Sequence, residues 1–220
     1  MLREKVKYTL SIVACAFVGV GLGFLILKIW PTVKHLTYTK SYVYQSADSA
    51  LLERFKSLNI HELRWQDLIP ETERELLRQY QQKDTSSFED QMMQSIRASI
   101  DKKYINAMLS TNTVDIWHGR AVSISGFIVP IETNENRAIT HFFVVPYYGA
   151  CIHFPPPPPN QIIYAQVEDG INIGEIDNPF TFVGTLSEEL FEDPIATSAY
   201  VLDVVSIETF YGQPDDFRQH

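Results

Sequence analysis

The fold is decided by residues 121–130, AVSISGFIVP. β-Branched and aromatic residues are frequent in this run, and they favour an extended strand over a helix. Gly126 lies inside the run, and a glycine within a strand is typical of a bulge or a sharply coiled segment. The pattern therefore predicts a strand over Ala121–Pro130 with such an irregularity at Gly126.

Four more strands are predicted after this one, separated by turns rich in Gly, Asn, Asp and Pro. Short strands of this number favour a small barrel, and we expect the five-stranded Greek-key barrel of the OB type, with a two-sheet sandwich as the alternative. The chain is thus expected to be mainly β within an α+β class, with an OB-like β domain over residues 113–210 and a polar tail over 211–220. The further strands are Ile139–Pro146, Gln161–Val167, Phe180–Leu186 and Ala199–Ile207.

Residues 63–112 precede the barrel and are expected to form a helical neck that caps one of its ends. The neck begins with a compact apolar and aromatic segment, in which Trp65 is predicted to anchor the packing. An apolar stripe at helical spacing follows, and its side chains, the methionines included, are predicted to fill core. The stripe consists of Phe88, Met92, Ile96, Ile100 and Tyr104, widened by Met93, Ile105 and Met108. A binding surface is the alternative for its methionines. Shorter helices are predicted over Ala47–Leu58 and Glu71–Gln82.

Residues Tyr8–Leu27 form a charge-free run of twenty residues, which is long enough to cross a bilayer as a helix. A short basic N-terminus before an apolar run is typical of a signal anchor. We therefore expect a single-pass protein of the bacterial inner membrane with its main domain in the periplasm. Gly19 and Gly23 make one small-xxx-small pair in the span, a spacing that allows close helix contact in dimers and that also arises from composition alone. The expected segments are a cytoplasmic tail over residues 1–7, the transmembrane anchor over 8–30, and a tether with a short helix over 31–62.

The charge of the chain is distributed unevenly. The formal net charge is -9, and between Arg137 and Arg218 there are twelve Asp or Glu and no Lys or Arg. Such a surface repels nucleic acid and anionic lipid headgroups, and it favours cations or a basic protein partner. A solvated acidic surface without a partner is the alternative interpretation. Nucleic acid is therefore excluded as an expected partner.

The residues with most chemical potential are Cys151-Ile152-His153, which five prolines and Asn160-Gln161 follow closely. In an extended backbone, side chains two residues apart leave on the same face. The prolines predict a stiff polyproline II rod that has no backbone N–H to donate. Cys15 lies in the predicted span, so a disulfide between Cys15 and Cys151 is geometrically implausible.

A metal site is the first hypothesis for this segment. Thiolates and imidazoles are ligands of zinc and of other soft transition metals, and Cys151 and His153 supply one of each. A closed zinc site takes four ligands. His141 on the preceding strand is the best third candidate, with His118 and Glu132 as further ones. The sequence therefore predicts a zinc site of Cys151, His153 and His141 whose ligand set is incomplete.

Other hypotheses use the same residues. Cys151 is a candidate nucleophile whose proton His153 accepts, with Asn160 orienting the imidazole as an amide does in papain-like sites. Alternatively, the pair belongs to the core, which leaves the dense prolines and amides around it unexplained. The proline rod is also a candidate ligand for the aromatic groove of a partner. Its predicted interaction surface consists of Pro155, Pro156, Pro157, Pro158, Pro159, Asn160 and Gln161.

The segment also carries a family resemblance. GACIHFPPPPPNQ at residues 149–161, with FVVPYY before it, resembles the signature of an uncharacterised family of exported bacterial proteins, domain of unknown function 3299. WQDLIP at residues 65–70 and the glycine-bounded stretch at 119–130 resemble two further blocks, so the resemblance covers residues 63–207. The resemblance implies a lipoprotein or membrane-anchored protein of the Gram-negative envelope with no established activity. It also implies relatives that are often encoded near ABC-transporter and metal-binding proteins. A full span replaces the usual signal sequence in this chain.

Together these patterns predict a non-enzymatic accessory or binding protein of an envelope transport system. Its expected partners are the inner membrane and, through the family resemblance, an ABC transporter or other envelope protein, and its candidate cofactor is zinc. One alternative is a thiol-dependent enzyme or redox protein that uses Cys151 and His153. The other is a structural assembly module that uses the proline segment.

Overall fold

The computed structural model describes residues 41–79, 88–150, 156–174 and 176–214. All of them belong to one compact unit, Ser41–His220. The predicted cytoplasmic tail and transmembrane anchor lie outside the described residues, as does most of the predicted C-terminal tail. Among the described helices, none has the length and apolar character needed to cross a membrane.

Five strands close into a barrel, as the sequence predicts. The ring strands are β3 (Arg120–Thr133), β4 (Ile139–Val145), β5 (Ile163–Ile171), β6 (Phe180–Ser187) and β9 (Tyr200–Thr209). Around the ring, β3 pairs antiparallel with β4, β4 antiparallel with β5, β5 parallel with β9, β9 antiparallel with β6, and β6 antiparallel with β3. All five predicted strands are therefore confirmed, with ends that differ by a few residues.

Alternation of side chains along the strands separates the barrel interior from its outer face. In β6 every second residue is buried, from Phe180 through Phe182 and Gly184 to Leu186. The interior holds the main apolar cluster, to which the neck contributes Trp65 and Leu68. Trp65 is thus confirmed as a packing anchor, and the segment Trp65–Leu68 that carries it is a 3-10 turn. The barrel core and the neck therefore share one hydrophobic interior.

Gly126 marks the point at which β3 changes partners. Residues from Arg120 to Gly126 pair with β6 without a register shift, and pairing with β4 begins at Phe127. A Cβ atom at position 126 would lie 2.7 Å from the Val145 carbonyl oxygen and 2.9 Å from the Trp65 ring. No bulge falls at Gly126, where the glycine instead allows close packing, and the register shifts of β3 lie beyond Pro130.

The helices lie close to their predicted positions and are α1 (Ser49–Ser57), α2 (Glu71–Gln79), α3 (Phe88–Ile100) and α4 (Lys102–Met108). The predicted stripe is divided between α3 and α4, because the Asp101 side chain accepts hydrogen bonds from the backbone N–H groups of Lys103 and Tyr104 and starts a new helix. On α3, Met92, Met93, Ile96 and Ile100 are exposed, so the prediction that these side chains fill core is wrong. On α4, Tyr104 and Met108 are partly buried against the cluster of Ile69, Leu77 and Ala107.

Several short strands have no counterpart in the sequence-based prediction. β1 (Tyr42–Gln45) extends the sheet beside β9, and β2 (His61–Leu63) pairs in parallel with β3. β7 (Phe191–Glu192) and β8 (Thr197–Ser198) form a small hairpin between β6 and β9. These strands have only two to four residues, which is too short to leave a periodicity in the sequence, and β1 and β2 also depend on distant partners.

Candidate functional site

The proline segment, by which we mean residues 151–161, belongs to the connection between β4 and β5. Cys151, His153 and Pro155 lie outside the described residues. Immediately before them, Ala150 is fully buried in a second apolar cluster on the outer face of the barrel, and its backbone N–H donates to the Tyr147 carbonyl at 3.3 Å. Gly149 has a φ of 73°, a backbone conformation that favours glycine at this turn. The segment is therefore fixed on its N-terminal side.

The C-terminal side of the segment is fixed by its prolines. Pro158 has φ −63° and ψ 157°, which is the predicted polyproline II conformation. A 3-10 turn over Pro159–Gln161 ends the rod. The Pro159 carbonyl accepts a hydrogen bond from the Ala199 N–H at 2.9 Å. The last part of the rod is thus hydrogen-bonded to the chain just before β9.

The prolines and amides of the predicted interaction surface are mostly covered by the chain itself. Pro157 and Pro158 are buried, Pro159 is half-buried and Pro156 is exposed. Asn160 and Gln161 are 0% exposed. A partner that approached this surface would therefore meet chiefly Pro156 and part of Pro159 among the described residues.

Asn160 joins the proline segment to the helical neck. Its Nδ2 donates to Glu73 Oε2 and to the Asn112 carbonyl, at 3.0 Å in each case. Glu73 Oε1 also accepts from Ser110 Oγ at 2.7 Å and from Asn112 Nδ2 at 2.6 Å. One carboxylate on α2 therefore accepts hydrogen bonds from the end of the neck and from the proline segment. We call Glu73, Ser110, Asn112, Asn160 and Gln161 the polar network.

Gln161 extends the polar network to the tryptophan anchor. Its Nε2 donates to the Trp65 carbonyl at 2.6 Å and to the Asn160 carbonyl at 3.1 Å. The Trp65 indole N–H in turn donates to the Ser125 carbonyl of β3 at 2.8 Å. The three sequence blocks that carry the family resemblance thus meet at Trp65.

Two acceptors of the polar network have no donor among the described residues. They are Asn160 Oδ1 and Gln161 Oε1, and both are buried. Such an atom costs about 1–3 kcal/mol relative to a satisfied one. Both side-chain amides are held by their nitrogen atoms, so the positions of the two oxygens are fixed. Any donor brought to this point would therefore meet acceptors that are already oriented.

Tyr200 closes the interface between the neck and the barrel. Its hydroxyl donates to the Leu68 carbonyl at 2.9 Å and accepts from the Val114 N–H at 2.8 Å. Burial raises the pKa of the Tyr200 phenol well above its usual value, the bond from Val114 opposes this, and the nearby charge of Glu188 adds to the increase. Tyr200 therefore serves as a neutral structural hydrogen-bonding group across the physiological pH range.

His141, the third predicted metal ligand, belongs to a different part of the barrel. It lies on β4 opposite Gln166, four residues before the strand ends at Val145. With a rise of about 3.3 Å per residue, it is roughly 13 Å along the strand from Val145, beyond which the chain leads to the proline segment. Its Nδ1 lies 3.3 Å from Glu132 Oε2 and 3.0 Å from Thr140 Oγ1. His141 and Glu132 are thus brought together, whereas Asn160 contacts neither.

His118 is a further candidate ligand and lies two residues before β3, whereas Glu132 lies near the end of this 14-residue strand. His118 Nδ1 accepts from the Glu188 N–H at 3.3 Å. Among residues 41–79, 88–150, 156–174 and 176–214, no three His, Cys, Asp or Glu side chains are grouped so that they could hold a metal ion. The described ligand candidates therefore form no complete site without Cys151 and His153.

The outer face of β4 and β5 is covered by the hairpin of β7 and β8. The ring of Phe191 stacks on that of Tyr164, with centroids 3.6 Å apart and an angle of 16° between the planes, and Phe143 meets both rings edge-on. Burial raises the pKa of Tyr164, and the charge of Glu132 raises it further. The aromatic surface on these two strands is therefore already occupied by the chain's own side chains.

Sequence reasoning did not identify the neck residues of the polar network. Glu73 lies in a helix rich in charged residues, and Asn112 in a loop between helix and strand, so neither position is distinguished by any local pattern. The available signal was the resemblance itself, which marks Trp65 and the Asn160-Gln161 pair as parts of one signature. Their contact explains why these distant blocks occur together.

Comparisons with known proteins agree with this arrangement. Residues 65–209 match the family described as protein of unknown function (DUF3299). A crystal structure of a DUF3299 family protein from Pseudomonas aeruginosa is similar, with 28% sequence identity and a TM-score of 0.52 over 70% of this chain and 99% of that chain. No curated protein matches the chain. The matched residues contain the barrel, most of the neck and the proline segment.

Proposed function

Since the chain belongs to the DUF3299 family of proteins of unknown function, we propose a function from its own geometry. The proposal is a non-enzymatic binding protein, anchored in the inner membrane with its domain in the periplasm. There it serves an envelope transport system as an accessory module. Its ligand is a transition metal such as zinc, held through Cys151 and His153.

The observation that carries this proposal is the rigid support on both sides of Cys151–Pro155. Ala150 is buried on one side, and Pro157, Pro158, Asn160 and Gln161 are buried on the other. A binding loop with fixed ends loses less conformational entropy when its ligand binds, so support of this kind increases affinity. The buried amides therefore favour a segment built to present Cys151 and His153.

The barrel topology also supports a binding function. Its strand order, β3-β4-β5-β9-β6 with one parallel pair between β5 and β9, fits the OB-type barrel. Barrels of this type commonly bind oligonucleotides on the face that here belongs to β4 and β5. In this chain Phe191 covers that face, and the net charge is -9. Both features favour a ligand other than nucleic acid.

The environment of His141 suits a metal ligand. A histidine that binds a metal through one ring nitrogen usually donates the other N–H to a carboxylate or carbonyl. His141 Nδ1 already lies 3.3 Å from Glu132 Oε2, which leaves Nε2 for a metal. Cys151 and His153 supply ligands of the kind that zinc prefers. His141 lies roughly 13 Å along β4 from the strand end that leads to them, so the proposed site rests on Cys151 and His153.

Elemental analysis tests the metal. The full chain, purified in detergent without chelators, is expected to contain zinc or copper in near-stoichiometric amount, and Cys151→Ser and His153→Ala are each expected to lose most of it. Cys15→Ser is the matched control and is expected to retain it. Metal-free wild-type protein whose melting temperature is unchanged by a chelator would contradict the proposal.

A thiol-dependent enzyme is the second candidate, and one observation favours it. The Asn160 amide is held by its nitrogen, while its buried Oδ1 has no donor in the part of the chain that the structure describes and could accept the N–H of an imidazole. An activated Cys151 would be alkylated by iodoacetamide near neutral pH, and His153→Ala would slow the reaction. A thiol that reacts only after denaturation would exclude this function.

A further inference from the structure

A groove of about 790 Å³ lies on the outer face of the barrel, and the proposed function leaves it unused. Its floor is a row of outward side chains on four neighbouring strands. Gln166 of β5 lies opposite His141 of β4 on one side and Asp203 of β9 on the other. Thr185 of β6 extends the row beyond Asp203. The end of β1, the turn after it and α1 also line the groove, so the barrel and its N-terminal elements form a concave surface together.

Carboxylates predominate among the charged groups of the groove. Glu168, Asp169 and Asp203 line it, and none of these side chains has an ion-pair partner among the described residues. Asp48 lines it as well, with one carboxylate oxygen held by two backbone N–H groups at the start of α1. Arg54 is the only lysine or arginine in the described lining. This lining therefore carries four carboxylates and one guanidinium, and its charge attracts cations.

The phenol of Tyr44 lies in the same lining and shows the sign of the electrostatic potential there. Burial raises the pKa of Tyr44, and the charges of Asp169 and Glu168 raise it further. The same negative charges would hold a bound amine in its protonated form. Leu51 and Val167 add apolar surface beside the carboxylates. A ligand with ammonium groups on an alkyl chain matches both properties of the lining.

Other occupants fit the groove less well. Anionic lipid and nucleic acid would meet the carboxylates and be repelled. The histidine and carboxylates of the described lining include no three that are grouped so that they could hold a metal ion. A protein partner usually needs about 1,000 Å² of interface or more, whereas a volume of about 790 Å³ lies within the range of about 300–1,000 Å³ that is typical of small-molecule sites. A small organic cation is therefore the occupant that the groove favours.

We propose that this groove binds a small aliphatic polyamine, whose ammonium groups pair with Glu168, Asp169 and Asp203 and whose methylene chain lies against the apolar part of the lining. The polyamine supplies positive charge to a part of the chain that has no lysine or arginine between Arg137 and Arg218. The site uses no residue of the proline segment, so this proposal and the proposed metal site can fail separately.

Isothermal titration calorimetry of the full chain in detergent tests the site, with spermidine as the probe. At about 0.15 M salt, where exposed charges are screened beyond about 8 Å, spermidine is expected to bind saturably at a single site. Glu168→Gln combined with Asp203→Asn keeps the shape of both side chains and is expected to weaken this binding at least about tenfold, because two charge-assisted hydrogen bonds are lost. Glu75→Gln combined with Glu189→Gln is the matched control, because both residues are exposed and lie outside the groove. The control removes the same charge and is expected to bind spermidine as the wild type does.

The outcomes separate the groove from a general attraction of cations. Spermidine binding that does not saturate, or that weakens equally in both double variants, would overturn the proposal. Thr185→Trp changes no charge but fills part of the floor, so it is expected to lower the affinity as well, and wild-type affinity in this variant would place the ligand outside the groove. A blocked trilysine peptide of the same charge is the second probe and is expected to bind more weakly than spermidine. Tighter binding of the peptide would assign the groove to lysine side chains of a protein and overturn the polyamine as its ligand.

Discussion

Asn160→Asp would place a carboxyl group against the carboxylate of Glu73. In the native chain Asn160 Nδ2 donates to Glu73 Oε2 and to the Asn112 carbonyl at 3.0 Å each. An ionised carboxylate at position 160 has no hydrogen to donate, so three oxygen acceptors would face one another. The change preserves the shape of the side chain and alters only its charge and hydrogen-bonding capacity.

The expected cost follows from these distances. Two unit charges 3 Å apart repel by about 5 kcal/mol at an effective dielectric constant of about 20. Because Glu73 is only half-buried, we reduce this to about 2–3 kcal/mol. Loss of a hydrogen bond to a charged group adds about 1.5–3 kcal/mol. The free energy of unfolding at neutral pH is therefore expected to fall by about 4–5 kcal/mol, against about 2 kcal/mol for Asn160→Ala.

The cost of Asn160→Asp should depend on pH. Burial beside Glu73 raises the folded-state pKa of the introduced carboxyl above its unfolded value. The protonated form is therefore favoured in the folded protein, so the penalty is complete above the folded pKa and disappears as pH falls below the unfolded one. A protonated carboxyl also regains a donor for Glu73. Asn160→Ala introduces no titratable group and should show no such recovery.

Thermal unfolding of wild type and both variants between pH 5 and pH 8 measures this difference. At about 2–4 °C per kcal/mol for a domain of this size, Asn160→Asp should melt roughly 10–20 °C below wild type at pH 8 and much closer to it at pH 5. Equal losses for the two variants at every pH would show that Asn160 and Glu73 are not coupled, and the account of the polar network would then be wrong.

Two further substitutions test the packing around the site. Gly126→Ala should lower the free energy of unfolding by about 2–3 kcal/mol, because the new Cβ would lie 2.7 Å from the Val145 carbonyl oxygen. Gly174→Ala is the control, because a Cβ there has open space and should be neutral. Urea titration compares the two variants, and equal stability would contradict the close approach. Tyr200→Phe should lower the free energy of unfolding by about 1–3 kcal/mol, because it leaves the Leu68 carbonyl and the Val114 N–H without the hydroxyl that they bind. Calorimetry measures this loss, and an unchanged melting temperature would refute the prediction.

The barrel was predictable because its long strands carry their own pattern. Phe180–Ser187 alternates strictly between inward and outward residues, and such a period identifies a strand without knowledge of its partners. The stripe of α3 shows the limit of the same reasoning. A helical period reveals that one side of a helix is apolar, but it does not reveal whether this chain or another molecule covers that side.

The sequence identified only part of the polar network. Asn160 and Gln161 were singled out from residue type within one short segment, and both are buried there, whereas Cys151 and His153 lie outside the described residues. Glu73 and Asn112 were not singled out, because they meet Asn160 across 87 and 48 residues of sequence, respectively. Hydrogen bonds over such separations depend on the tertiary fold, and no local propensity records them.

The position of β9 has a consequence for how the protein is made. β9 pairs with β1, β5 and β6, so the partners of this strand lie in the earliest described segment and in the middle of the barrel. During synthesis, these partners keep unpaired edges until residues 200–209 have been made. The ring can close only in the last stage of chain delivery. Late strands of this kind make the nascent domain vulnerable to aggregation, and they make its maturation depend on any chaperone that shields those edges.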